Sequence, residues 1–261
     1  MRISILVPTL GEKPDATERL LNSLNVQTFN DFQVVIVSQD NHDDISRLIT
    51  EYDHMDIVQV RLDVKGLSHA RNCGIKYADG DVILLADDDC WYPENALERI
   101  KTLFEENSEA IIATQIYDPV RGESYKKYGK VCKKIDNRYA LMSKSSIEIS
   151  FRADRVNNSF DENFGLGATY VCCEENDFLL TAFKNGIGIR YIPEVTVYHE
   201  KKKRGRTSNQ VLAKGALYKK HFGLLFSLIV LLRDLIVKRE NNFSSFMEGY
   251  KGYAALMRKS G

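Results

Sequence analysis

The chain has 261 residues, enough for one large domain or a domain with an appendage. Its 36 Lys plus Arg balance 36 Asp plus Glu, which argues against a broad basic surface for gripping nucleic acid, and no nucleic-acid partner is expected. A hydrophobic fraction of 44% and only 5 Pro exclude a mainly disordered chain and a Pro-rich rod. The 5 Cys, at 73, 90, 132, 172 and 173, show no repeated C-x-x-C spacing, which argues against a disulfide framework or structural zinc and for a reducing, cytoplasmic setting.

The apolar run Ile3 to Val7 reads as a buried strand; it is too short for the apolar region of a signal peptide and stops at Pro8. Pro14 to Leu24 reads as a helix, with Pro14 in its first turn and Leu20, Leu21 and Leu24 on one face. Val34 to Val37 and Ile57 to Val60 are further strands. Leu67 to Ala78 is predicted helical, with Ala70, Cys73 and Tyr77 at helical spacing. Val82 to Ala86 is a fourth strand, and Pro93 to Phe104 a helix with Leu97, Ile100, Leu103 and Phe104 inward. Strands without polar alternation, separated by helices, indicate an α/β fold: a Rossmann-like, mainly parallel sheet covered on both faces. Ligands of such sheets sit beyond the carboxyl ends of the strands, here residues 8–12, 38–44 and 87–90.

Patterning loosens after about residue 115. Residues 122–136 are polar, basic and Tyr-bearing, with no predicted element. Ile147 to Phe151 reads as a strand, Glu175 to Lys184 as a helix, and Gly188 to Tyr198 as two short strands broken at Pro193. The run 201–206 carries five cations in six positions, and a helical tail follows from about Asn209. The expected division is an α/β unit over 1–205 and a helical extension over 206–261. The longest apolar run, Phe222 to Leu232, falls short of the ~20 residues that cross a bilayer.

Asp87-Asp88-Asp89 is the sharpest local feature. Three carboxylates after a buried strand repel one another unless a cation sits among them, and such oxygen-rich clusters suit Mg²⁺ or Mn²⁺ shared with ligand phosphates. The alternative is a solvated turn that caps the next helix. Glu174 and Glu175 open a helix after the loop Gly165-Leu166-Gly167; they either meet the helix dipole or supply a general base for an attacking alcohol. His199 is either structural or completes a metal shell begun by the acids. The basic run is either a solvated loop or a cover for a diphosphate.

Three stretches then resemble a known family: Ser4-Ile-Leu-Val-Pro-Thr9, Gly66-Leu-Ser-His-Ala-Arg-Asn-Cys-Gly74 and Gly80-Asp-Val-Ile-Leu-Leu-Ala-Asp-Asp-Asp89. With Phe160 to Gly167, Glu174 to Phe178 and Val197-Tyr-His199 in the same order, the first 200 residues or so resemble glycosyltransferase family 2, with its GT-A nucleotide-sugar fold. The resemblance implies an inverting, metal-dependent transferase of hexosyl type. Its Asp-x-Asp motif matches Asp87 and Asp89, the first facing the ribose and the last the metal, with Asp88 sharing either task. Pro8, Thr9 and Glu12 match the loop that holds the nucleotide, and Arg71 matches an arginine near it. Asp40 is the nearest match to the acid that reads the base, shifted in register.

Of the Glu174-Glu175 pair, Glu175 is the implied base and Glu174 its rival, since Glu stands where the family more often has Asp. The implied metal ligands are Asp89, Asp87 and His199, and the cofactor Mn²⁺ or Mg²⁺. The implied donor is a nucleotide diphosphosugar, with uracil the commonest base. The tail resembles those of small bacterial sugar transferases, whose acceptors are saccharides or lipid-linked saccharides of cell-surface polysaccharide synthesis at the inner face of the membrane. Phe222 to Val237 beside Lys219, Lys220, Lys238 and Arg239 fits an interfacial helix and a core helix equally. Two rivals are a nucleotidyltransferase, for which residues 9–13 make a poor phosphate loop, and a non-catalytic nucleotide- or sugar-binding module.

Overall fold

The computed structural model describes residues 1–201, 207–238 and 243–259. Seven strands and five helices build the main body: β1 Ile3–Thr9, α1 Pro14–Asn25, β2 Phe32–Ser38, α2 His42–Ile49, β3 Ile57–Arg61, α3 Leu67–Ile75, β4 Val82–Leu85, α4 Ala96–Glu106, β5 Ile111–Asp118, and, after two short strands, β8 Ile149–Arg152, α5 Glu174–Lys184 and β9 Ile189–Tyr198. The short strands β6 Glu123–Ser124 and β7 Lys133–Lys134 lie in the stretch without a predicted element. All nine join one sheet in the order β3-β2-β1-β4-β8-β5-β9-β7, with β6 on β5.

Direction in that sheet sets the site. Strands β1, β2, β3 and β4 pair in parallel. Strand β8 is antiparallel to both β4 and β5, so β5 returns to the direction of β4, and β9 runs parallel to β5. The carboxyl ends of β1, β2, β4, β5 and β9 therefore meet along one edge. Side chains alternate between two cores. Ile3, Ile5 and Val7 of β1 face α1 and α4, whereas Leu6 faces the side of α3 and α5. Strands buried on both faces read as continuous apolar runs, which is why the sequence signals them without alternation.

Several elements differ from their predicted form. Helix α3 stops at Ile75, short of the predicted Ala78, and the chain passes through reverse turns that leave Tyr77 53% exposed. Helix α4 starts at Ala96: the Pro93 carbonyl accepts from the Ala96 amide and from Gln27 Nε2 at 2.7 Å, which holds 93–95 as a turn. Ser146–Glu148 forms a 3₁₀ turn ahead of β8. Pro193 does not split its segment. It sits where the register between β5 and β9 shifts, the one place where a residue without an amide proton costs the sheet no ladder bond.

The tail comprises α6 Ser208–His221, α7 Leu224–Lys238 and α8 Phe243–Lys259. Thr207 and Gln210 form a capping box at the start of α6. Ala213, Ala216 and Leu217 share one apolar cluster with Phe178, Leu179 and Phe164 of the main body. Buried Asp177 accepts hydrogen bonds from Lys220 Nζ at 2.9 Å and meets His221 Nε2 at 2.6 Å, tying α6 to α5. Gly215 and Gly249 let α6 and α8 touch backbone to backbone: a Cβ on Gly249 would stand 1.9 Å from the Leu212 carbonyl oxygen. Among the described residues no helix is long and apolar enough to cross a membrane.

Candidate functional site

A cavity of 460 Å³ opens along the common carboxyl edge, lined by Pro8 and Thr9 at the end of β1 and Glu12 beyond it, Asp87 to Asp89 after β4, Glu174 and Glu175 from α5, and His199 after β9. The acidic triplet leaves a strand whose residues are wholly buried, so its position is fixed by the sheet, and each acid is held differently. Asp87 Oδ1 accepts from Arg71 Nη2 at 3.2 Å and from Ser146 Oγ at 3.4 Å. Asp88 Oδ2 accepts from Thr9 Oγ1 at 2.8 Å. Asp89 Oδ2 accepts from Lys13 Nζ at 3.0 Å, and its Oδ1 meets His199 Nε2 at 3.0 Å.

Burial pushes the Asp87 carboxyl above the usual range against the pull of Arg71, and burial does the same to Asp88 against Thr9 and Lys13. Lys13 is affected in reverse. Burial disfavours its ammonium, but the bond to Asp89 and the charges of Asp88 and Asp89 outweigh that and raise its pKa.

His199 is placed by the end of β9. Its amide donates to the Tyr117 carbonyl at 3.0 Å, and buried Asp118 accepts from the Lys201 amide at 2.8 Å. Burial opposes charge on Asp118, yet the amides of Lys201, Arg121 and Val120 hold its pKa below the ordinary value. Tyr125 packs edge-on against the imidazole at 5.3 Å.

Arg71 is fully buried and meets the cavity only through the acids it grips, Glu174 at 3.1 Å and Asp87 at 3.2 Å. Its place is behind the predicted nucleotide site, where it fixes two of the walls. Glu174 is thereby engaged, whereas Glu175 lines the cavity without that ion pair. Burial and the Glu174 charge push the Glu175 carboxyl well above the ordinary value.

Asp40 does not line the cavity. It binds Lys65 Nζ, and Lys65 and Gln39 line the wall in its stead. The predicted diphosphate cover at 202–206 lies outside the described residues. Lys13, Gln39, Lys65, Tyr125, Ser146 and Gln210 line the cavity without having been singled out in the sequence. The parallel strand order, which brings together segments up to about 200 residues apart, is the signal that finds them.

The donor set can be tested against a divalent ion. Adjacent ligands of an octahedral ion with bonds of ~2.1 Å stand ~3.0 Å apart, which is the separation of Asp89 Oδ1 and His199 Nε2. Among the described residues no group of three or more His, Cys, Asp or Glu is arranged to hold a metal. Two protein donors with the remainder from phosphate and water is the pattern Mg²⁺-type ions adopt, so the residues fit such an ion when a diphosphate accompanies it.

The model of glycosyl transferase family 2 matches residues 4–156, more than half of the chain. The uncharacterized glycosyltransferase YwdF of Bacillus subtilis is 33% identical over 102 residues, 38% of this chain and 37% of that protein. The poly(ribitol-phosphate) beta-N-acetylglucosaminyltransferase TarS of Staphylococcus aureus is 27% identical over 117 residues, 43% of this chain and 20% of that protein. The chain thus spans about a third or less of the length of such curated relatives. The crystal structure of S. aureus TarS 1-349 in complex with UDP-GlcNAc superposes with a TM-score of 0.69 over 94% of this chain and 75% of that one, at 18% identity, and so shares the GT-A fold. Matched over the whole stretch from β1 through the acidic triplet to β8, this chain belongs to glycosyltransferase family 2.

Proposed function

We propose that the chain transfers a sugar, with inversion, from a nucleotide diphosphosugar to a hydroxyl of a saccharide or lipid-linked saccharide acceptor in cell-surface polysaccharide synthesis. The observation that carries this reading is the single 460 Å³ cavity in which the acidic triplet, His199 and Glu175 face one another. Pro8, Thr9 and Glu12 hold the nucleoside side of the donor. Uracil is the proposed base, supported by relatives of this fold crystallised with UDP and UDP-GlcNAc.

Asp89 and His199 would hold a divalent ion, Mn²⁺ or Mg²⁺, which would supply charge neutralisation to the departing diphosphate, while Asp87, expected as a further ligand, is held by Arg71 and Ser146 instead. Asp88, fixed by Thr9, keeps Lys13 beside the same phosphates. Glu175 takes the proton of the acceptor hydroxyl as its oxygen attacks the anomeric carbon from the side opposite the diphosphate, which inverts that centre. Glu174, bound to Arg71, raises the proton affinity of Glu175 by its charge.

A contact with the inner face of the cytoplasmic membrane belongs to this reading. Leu225, Ile229 and Leu232 form an exposed stripe along α7, at 75%, 56% and 56% exposure. Lys220, expected beside that stripe, turns inward to Asp161 and Asp177 instead. Arg239 lies outside the described residues.

The test is a thermal-shift series with UDP, GDP and dTDP, each with and without Mn²⁺. UDP raising the melting temperature most, and only with the metal, supports the donor and cofactor together. No shift with any of them defeats the donor site. A shift without turnover of any UDP-sugar leaves a binding module.

A further inference from the structure

A second concavity, of 150 Å³, lies beside the donor cavity and is lined by Lys126, Lys127, Lys133 and Lys144 together with Tyr128 and Tyr191. Four lysines line a space about a third the size of the donor cavity, Lys127 and Lys133 from its exposed rim and Lys126 and Lys144 from deeper in the wall. One acid answers them from behind: fully buried Glu148, 2.5 Å from Lys126 and 3.7 Å from Lys144. Lys144 is itself only 8% exposed and lies 4.1 Å from the face of Tyr191. Burial, with the like charges of Lys126 and Lys133, lowers its pKa despite Glu148. Such a cluster is short of negative charge by three, counting four lysines against one glutamate. Lys126 and Lys144 are held inward by Glu148 against the aromatic wall of Tyr128 and Tyr191, and Lys127 and Lys133 stand exposed at the rim.

The pocket is wired to the proposed reaction centre through two short segments. Tyr125 packs on His199 in the donor cavity, and the next residue is Lys126. Ser146 donates to Asp87, and the preceding Ser145 accepts from Lys126 Nζ at 2.9 Å. From the other side, Asn176, adjacent to Glu175, donates to the Lys144 carbonyl at 3.2 Å and to that of Leu141 at 3.1 Å. Neighbouring residues thus serve the two spaces at 125–126 and 144–146, and Asn176 links Glu175 to the Lys144 backbone.

We propose that this lysine pocket binds a phosphate group of the acceptor, so that the acceptor is a phosphate-bearing molecule. The inference rests on the transferase reading for the word acceptor, and the pocket's anion chemistry stands apart from it. A phosphate ester fits the space and the excess of four lysines over the one glutamate, Glu148, that meets Lys126 and Lys144; a neutral sugar would not balance that excess. The donor cavity, beyond the Ser145-Ser146 segment, has lysines of its own in Lys13, beside the acidic triplet, and Lys65, paired with Asp40. The phosphate belongs either to a soluble polyol or sugar phosphate or to a lipid diphosphate, and the experiment separates them.

The full chain, ¹⁵N-labelled, is titrated with sn-glycerol 3-phosphate and with glycerol at low ionic strength. The expected result is saturable amide shifts over residues 126–144 with the phosphate alone. The exposed pair Lys127→Gln with Lys133→Gln weakens that binding about tenfold, while UDP still raises the melting temperature, which shows that fold and donor site persist. In parallel, phosphatidylcholine vesicles with and without polyprenyl diphosphate are sedimented with the protein. Co-sedimentation that needs the diphosphate and falls in the double variant assigns the pocket to a lipid-borne phosphate, and soluble binding alone assigns it to a polyol or sugar phosphate.

Equal shifts with glycerol, shifts confined to residues 8–13 and 87–89, or undiminished binding by the double variant overturn the proposal. If UDP has no effect on the parent chain while glycerol 3-phosphate still shifts 126–144, the transferase reading falls and the anion pocket stands.

Discussion

His199 Nε2 lies 3.0 Å from Asp89 Oδ1, which joins two side chains 110 residues apart in the chain across the carboxyl edge of one sheet. The pair is a hydrogen bond in the free chain, and a carboxylate oxygen and an imidazole nitrogen at that spacing could share an ion in its place. His199→Ala is predicted to weaken Mn²⁺ binding in the presence of UDP by about tenfold or more, read by electron paramagnetic resonance of free Mn²⁺. Unchanged affinity would remove His199 from the ligand set.

Arg71 supplies the buried positive charge between Glu174 and Asp87. Replacing it with Met keeps the apolar stem and leaves the carboxylates uncompensated. Glu174 is nearly buried and carries most of the cost; Asp87 is partly open to the cavity and carries less. A loss of about 3 kcal/mol in urea unfolding at pH 7 is expected. A loss below about 1 kcal/mol would mean that the carboxylates find other partners.

Glu175 sets a pH dependence whose sign can be worked out. Its carboxyl is pushed well above the ordinary value by burial and by Glu174. A base acts only when deprotonated, so turnover should rise with pH through that raised value. Glu175→Gln should cut turnover by about 10²–10⁴-fold while UDP binding is retained. Stability runs the other way. Between the ordinary and the raised value the folded chain keeps a proton that the unfolded chain has lost, so stability of the parent falls as pH rises through that window. The Gln variant lacks this fall, and urea curves for both proteins from pH 4 to 9 should diverge in its favour toward the alkaline end. Parallel curves would show that Glu175 carries no shifted proton.

Asp177 links the tail to the main body through Lys220 and His221. Asp177→Ala leaves Lys220 with Asp161 as its remaining partner and His221 without its carboxylate, and should cost about 2 kcal/mol. Gly249→Ala forces a methyl onto the Leu212 carbonyl and should cost about 1–3 kcal/mol through overpacking. Limited proteolysis followed by mass spectrometry should locate the first cuts of both variants in the tail. Early cuts within the sheet instead would place the coupling elsewhere.

Much of this molecule is legible from residue order alone. The apolar runs of β1, β2 and β4 and the leucine face of α1 specify a two-faced sheet, because side-chain burial on both sides leaves no other pattern. The acidic triplet names its own edge by following one of those strands. Other features depend on partners far away in the chain. Glu174 and Glu175 are indistinguishable as neighbours at a helix start, and only the buried guanidinium of Arg71, 103 residues away, engages one and leaves the other facing the cavity.

The basic stretch from Lys126 to Lys134 has no periodicity of its own. It becomes a pocket because β7 pairs with β9 and because Asn176 holds Lys144 in place. Local periodicity and chemistry thus determined the layers and the reactive edge. The choice of which charges meet was made by strand order and burial, since an ion pair between distant residues has no local energetic signature for the sequence to display.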